Sequence, residues 1–281
     1  MDRLLTGRWH TLLMLNFEVD PDVLLPLVPA GTTLDFHDGK TYLSMVGFRF
    51  ENARVRGWAL PFHRHFDEVN LRFYVVREVN GACRRGVVFV KEIVPRRLVA
   101  WVARRFHGEN FVALPMRSRR PADPGGGGIV SYEWWHERRW QGLVAWSGGP
   151  ARPPRPGSLD ELIAEHYWAY GSREDGTREY RVEHPPWLIR PAYHACCDCD
   201  LDSLYGAAFT PYLSAAPASA FVAIGSDVVV CKGRSLPLLR DTAAAFCAVP
   251  STTLASRHVA SATPAVTSST CGVADSLRQP I

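Results

Sequence analysis

The residues from Glu68 to Val75 alternate polar and apolar without a break. A repeat of two is the signature of a strand, because successive side chains point to opposite faces. Glu68, Asn70, Arg72 and Tyr74 fall on one face, and Val69, Leu71, Phe73 and Val75 on the other. An acid, an amide, a guanidinium and a phenol in line allow two readings. Either the strand turns this face to water, as antiparallel sheets commonly do, or it forms the polar floor of a barrel or pocket. In the second case Arg72 would meet a carboxylate on a neighbouring strand through paired hydrogen bonds, with Glu92 as the candidate.

The same texture runs through most of the chain. Trp9–Phe17, Lys40–Glu51, Arg84–Ile93, Asn110–Arg117, Ile129–Arg138, Thr177–Glu183, Ile189–Asp198 and Ala220–Cys231 are rich in β-branched and aromatic residues, which predicts strands. Helices are fewer. Asp20 caps one through Leu27 with Pro21 at its first position. Arg96–Phe106 carries a helical apolar stripe, and Ser158 with Glu161 forms a capping box for a helix over Leu159–Tyr170. Many strands with a few short helices give an α+β class with a largely antiparallel sheet.

Composition narrows the function. Basic and acidic residues number 32 and 28, a balance unlike that of a dedicated nucleic-acid binder. The 7 cysteines are odd in number and lack the spacing of a disulfide framework, and no secretory signal is visible, so a cytoplasmic location is expected. The longest charge-free stretch, Ser203 to Ser226, contains Pro211 and Pro217 and does not read as a membrane span. The oligomeric state is not encoded in any pattern visible here.

The strand Val87-Val88-Phe89-Val90 ends in Lys91-Glu92. Strict alternation places Lys91 on the side of Val87 and Phe89. There it is either a desolvated amine able to act as a nucleophile or the point where the strand reaches water. Two clusters resemble metal ligands: His63, His65, Asp67 and Glu68, and Cys196-x-x-Cys199 beside His194, Asp198 and Asp200. A structural zinc needs four well-placed ligands, and a single C-x-x-C does not supply them, so no metal is expected. No G-x-S-x-G elbow, phosphate loop or dinucleotide fingerprint is present, and no cofactor is expected.

Several motifs in order resemble the YqjF-like family of uncharacterised proteins. They are Glu68-Val-Asn70-Leu-Arg72-Phe-Tyr74-Val75, Gly86-Val87-Val88-Phe89, Tyr180-Arg-Val-Glu-His184-Pro185-Pro186-Trp187 and Pro217-Ala-Ser219-Ala220-Phe221-Val-Ala-Ile-Gly225-Ser226. The likeness spans about residues 1 to 236. It implies the acetoacetate-decarboxylase-like superfamily: one domain, with a barrel-like antiparallel sheet around an internal pocket. It brings no established activity. The enzyme that names the superfamily places its Schiff-base lysine in a Glu…Pro-Lys-Lys-Leu pattern. The nearest match here is Glu92-Ile-Val-Pro95-Arg96-Arg97-Leu98, with arginine in place of the lysine pair. A guanidinium stays protonated and forms no imine.

The expectation is a pocket protein that binds or turns over a small organic or keto acid, or a sensing module that keeps the fold without catalysis. Arg72, Asn70, Tyr74 and Arg96 would bind the ligand. Lys91, Glu92 and Glu68 are the candidates for chemistry. Residues 237–281 are expected to form a disordered tail, arising from a shifted reading frame or a private extension. From Asp241 onward 9 Ala, 6 Ser and 6 Thr accompany a single aromatic, Phe246, too little to build a core. Removing residues 241–281 is therefore expected to leave the melting temperature within a few degrees. A calorimetric fall of about 5 °C or more would mean that the tail contributes on the order of 1–2 kcal/mol.

Overall fold

A computed structural model describes residues 2–59, 64–95, 110–122 and 127–237. The predicted helix over Arg96–Phe106, the residue His63, the pair Arg96-Arg97 and the tail from 238 lie outside the described residues.

Three long strands form the centre: β1 (Arg3–Val19), β3 (Thr41–Val55) and β5 (Phe66–Val79). They are antiparallel, in the order β5-β3-β1. The short β2 (Thr33–Leu34) and β4 (Trp58–Ala59) lie on β5 and β3. β6 (Ala82–Val94) pairs with β5. β11 (Trp168–Arg173) joins β6 in parallel through only Trp168 opposite Gly86 and Ala169 opposite Val87. β12 (Gly176–Glu183) pairs with β11 and touches β14 (Ser219–Cys231), which returns to β1. The pairings β1-β3-β5-β6-β11-β12-β14-β1 close a ring. β15 (Arg234–Pro237) is added outside on β12.

A second layer covers the outer face of the ring. β13 (Ile189–Asp198) pairs with β14 at one end and with β10 (Arg139–Ser147) at the other. β9 (Gly128–His136) and β8 (Met116–Arg119) follow, and β7 (Phe111–Ala113) lies on β6. Leu13, Leu15, Leu43, Met45, Leu71 and Phe73 from the ring pack against Tyr132, Trp134, Leu143 and Ala145 of this layer. Gly47 makes the contact possible: a Cβ there would sit 2.6 Å from the Tyr132 ring. The Tyr132 hydroxyl then donates to the Thr11 carbonyl at 2.7 Å. The other face of the same strands, inside the ring, buries Met14, Val46, Phe48, Tyr74 and Phe221.

Among the described residues four helices are found, all short. α1 (Pro21–Leu24) continues as a 3-10 turn to Leu27, and the Asp20 carboxylate accepts from the Asp22 amide at 2.9 Å. α2 (Leu159–Ala164) starts as expected, with Ser158 accepting from the Glu161 amide at 3.3 Å. It stops at Ala164, however, and the predicted last turn is strand β11. Cross-strand pairing of Trp168–Tyr170 with β12 outweighs the helical preference of the sequence. α3 (Leu201–Tyr205) runs into the charge-free stretch, and α4 (Thr210–Leu213) lies within it, before β14. Among the described residues no helix is long and apolar enough to cross a membrane. The predicted strand Asn110–Arg117 is two, β7 and β8, separated by Leu114-Pro115. β10 was not anticipated.

Candidate functional site

The polar face of β5 points into the ring. Arg72 is 8% exposed. Its guanidinium donates to the Tyr74 hydroxyl at 3.4 Å and to the Ile163 carbonyl of α2 at 3.4 Å, and it approaches the Met14 sulfur at 4.0 Å. Among the described residues no carboxylate lies within ion-pair distance of Arg72, so the expected partnership with Glu92 is not formed. The reason is local. Glu92 lies opposite Asn70, two residues back along β5 from Arg72.

From Arg72 a chain of hydrogen bonds crosses the floor. The Tyr74 hydroxyl donates to Ser44 Oγ at 2.5 Å, and Ser44 to Asn16 Oδ1 at 2.6 Å. Asn16 Nδ2 donates to Ser219 Oγ at 2.8 Å. The strands β5, β3, β1 and β14 each supply a member, and α2 meets the Arg72 end through the Ile163 carbonyl. Every donor between Arg72 and Ser219 points the same way, away from the cation.

His166, just after α2, is buried with its ring 4.6 Å from that of Tyr74. Its Nε2 lies 3.5 Å from Asp35 Oδ2, which Arg85 Nε also approaches at 3.2 Å. Burial pushes the His166 pKa below its ordinary 6.5, and Asp35 opposes the shift. Burial lowers His184 and His10 as well. The sign follows from linkage. As pH falls through 6.5 the unfolded chain takes up protons that the native histidines resist, so stability falls. Each histidine contributes a slope of at most about 1.4 kcal/mol per pH unit. Urea midpoints are expected to be lower at pH 5.5 than at 7.5, and His166→Gln should flatten the difference. An unchanged slope would remove His166 from this account.

Lys91 does not share this interior. A bulge between the pairs Leu71–Lys91 and Arg72–Phe89 inserts Val90 and reverses the facing of the residues beyond it. Lys91 therefore lies on the opposite side from Phe89. Its ammonium donates to the Leu204 carbonyl and sits 5.8 Å from the Tyr205 ring, in the outer layer. Burial lowers its pKa. Glu92 is buried opposite Asn70, on the interior face. Glu68 is half-buried and accepts from the Asn70 amide at 3.4 Å. Arg96 lies outside the described residues. The structure thus brings Arg72, Asn70, Tyr74, Glu68 and Glu92 to one face, and turns Lys91 away.

The metal-like clusters have other partners. Asp67 accepts from Ser118 at 2.9 Å and lies 3.3 Å and 3.8 Å from Arg49 and Arg120. The close thiol pair is Cys197–Cys199, 3.3 Å apart, not Cys196–Cys199. A bend at Cys199 beyond the end of β13 allows that contact. Among the described residues no group of three or more His, Cys, Asp or Glu is arranged to hold a metal ion.

Two of the motifs meet each other. His184 stacks on Trp187 at 4.0 Å and 10°, and the Trp187 indole donates to Ser226 Oγ at 2.9 Å. The sequence gives no hint that these segments touch, nor that Asn16, Ser44 and Ser219 join Arg72. Each of those residues sits singly in an otherwise apolar or polar run.

The model of the DUF2071 family, described as an uncharacterised conserved protein, matches residues 6–227. The chain belongs to that family. It is 27% identical over 188 residues to the uncharacterised protein YqjF of Bacillus subtilis, covering 66% of this chain and 74% of that one. Among solved structures, acetoacetate decarboxylase from Legionella pneumophila superposes with a TM-score of 0.57 at 11% identity, over 84% of this chain and 88% of the other. The enduracididine biosynthesis enzyme MppR complexed with pyruvate gives 0.59 at 14%, over 85% and 92%. An acetoacetate decarboxylase-like enzyme from Sphingomonas wittichii gives 0.57 at 14%, over 85% and 95%. At such identities the likeness is one of fold. The expected acetoacetate-decarboxylase-like architecture is the one observed, with a ring of strands at its centre.

Proposed function

We propose that the ring interior binds a small organic acid, with Arg72 as the group that recognises its carboxylate. The observation that carries this reading is a buried guanidinium whose described contacts are all uncharged. A buried cation is costly unless paired, and a carboxylate ligand would complete the pair with two parallel hydrogen bonds. Tyr74 and Asn70 flank Arg72 on the same face and would orient the bound acid. Glu92, Glu68 and Arg96 are the remaining candidates around it. The pyruvate complex of the similarly folded MppR is compatible with this reading.

Imine chemistry is not part of it. The chain has three lysines. Lys40 is paired with Glu18, Lys232 is exposed, and Lys91 is turned outward. This distribution favours binding or sensing over turnover by a lysine route. Borohydride treatment in the presence of acetoacetate should leave the intact mass unchanged, and an adduct on Lys91 would restore the decarboxylase-like mechanism.

The direct test is thermal stabilisation by acetate, pyruvate, acetoacetate and longer alkanoates. Saturating acid, at 100 times its dissociation constant, adds about 2.7 kcal/mol. In Arg72→Met the stabilisation should vanish. Equal stabilisation of both proteins, or of neither, would refute Arg72 as the recognising group.

A further inference from the structure

The thiols of Cys197 and Cys199 lie against each other, with their Sγ atoms 3.3 Å apart. Neither is in a disulfide. In an extended strand, residues two apart share a face, but their Cα atoms are separated by about 6.6 Å. That is near the far end of what a disulfide spans. Here the strand stops. Cys197 is opposite Leu143, and Asp198, the last residue of β13, is opposite Gly142. The chain bends at Cys199, and the second thiol meets the first.

The bend is held on both sides. Arg139 of β10 pairs with Asp198 at 3.0 Å. The Asp200 amide donates to Gln141 Oε1 at 2.8 Å, and Asp200 Oδ1 accepts from the Ser203 amide at 3.1 Å, capping α3. Gln141 is fully buried and donates in turn to the His136 carbonyl at 3.0 Å. The thiol pair thus sits at a fixed junction between β13 and α3. It lies outside the ring interior and does not involve Arg72.

Two chemistries suit a close thiol pair. A metal needs further ligands, and among the described residues no third His, Cys, Asp or Glu is arranged with these two to hold one. The surroundings are apolar, since both side chains pack on the cluster that contains Leu143, Leu201, Leu204 and Tyr205. A disulfide is neutral and leaves no charge to desolvate there.

We propose that Cys197 and Cys199 are a reversible dithiol–disulfide pair that pins the entry of α3 when oxidised. The oxidant is a hydroperoxide or a small disulfide such as oxidised glutathione. With hydrogen peroxide, one thiol gives a sulfenic acid and one water. The second thiol attacks that sulfur, the S–S bond forms and a second water leaves. The two thiols lose two electrons and two protons, and the peroxide is reduced. The shared hydrogen bond and burial push the Cys197 pKa up, which keeps that thiol protonated and gives the first attack to Cys199. The consequence falls on α3. A helix of 5 residues is marginal alone, so its order depends on its ends. It also supplies the Leu204 carbonyl that holds the Lys91 ammonium of β6.

The test equilibrates the full chain in glutathione buffers from reducing to oxidising. Thiols are alkylated with one reagent before reduction by dithiothreitol and with a second after it, and mass spectrometry reads each position. Cys197 and Cys199 should change label together in one transition, and excess dithiothreitol should restore both thiols. Cys196→Ser should leave that transition in place. Cys197→Ser should replace it by a glutathione adduct on Cys199. Hydrogen exchange of the α3 amides should slow by roughly five-fold or more in the oxidised form. Two thiols that stay reduced at the most oxidising ratio, or a bond from either to Cys196, overturn the pair. Unchanged exchange in α3 overturns the pinning. The wild-type titration decides even where a variant does not fold.

Discussion

Replacing Glu179 with glutamine is expected to lower the melting temperature by roughly 6–12 °C, from a loss of about 3 kcal/mol. Glu179 is on β12 and its side chain is fully buried. Arg77 of β5 reaches it at 2.9 Å, Arg84 of β6 at 3.5 Å and Arg234 of β15 at 2.5 Å. One carboxylate thus ties four strands. It does so beside one of the two thinnest junctions of the ring, since β6–β11 and β12–β14 each share only two register pairs. Losing the acid leaves three guanidinium groups crowded together without a counter-charge. The estimate sits at the low end for a buried network because Arg234 is 48% exposed and water can solvate it. Arg234→Met should cost much less. Differential scanning calorimetry would decide, and a fall below about 2 °C for Glu179→Gln would mean that the strands close without this clasp.

Gly225→Ala should be nearly as damaging, by roughly 2–4 kcal/mol from left-handed strain plus overpacking. Gly225 has φ +88, and a Cβ there would lie 2.1 Å from the Trp9 carbonyl oxygen. It pairs with His10 at the junction of β1 and β14. The backbone must therefore shift where Ser226 receives the Trp187 indole. Gly171→Ala is the control, because its Cβ would meet nothing within 4 Å. If the two variants share one urea midpoint, the close approach at Gly225 carries no weight.

These two positions differ in how far the sequence announces them. Gly225 stands in a motif that resembles a known family, whereas Glu179 sits in a run that reads only as strand. Period-two alternation identified both faces of β5 correctly, because that strand is regular from Glu68 to Val75. The same counting misplaced Lys91, because a bulge leaves no mark in the order of residues. It is created by the pairing of β6 with β5 rather than by β6 itself. Ser158 announced the start of α2 through local capping chemistry. The end of α2 was hidden, since it depends on β12, which comes later in the chain. The interior chain of hydrogen bonds was illegible for the same reason. Its members come from positions 16, 44, 72, 74 and 219, and no local pattern links them. Arg72 could be proposed from its strand alone, but that none of the described carboxylates lies beside it could be seen only once the ring had closed.

Ring closure also governs how this chain behaves beside other copies of itself. A closed circuit of strands offers no unpaired backbone to a neighbour, so the risk of edge-to-edge growth falls on the outermost strands. One of these is β8, four residues reading Met-Arg-Ser-Arg, and another is β15, which begins at Arg234. Two such edges meeting would place arginine near arginine, and like charges set opposite each other in a ladder repel. A sheet of this extent is thereby kept from acting as a template for aggregation by a few short, basic margins.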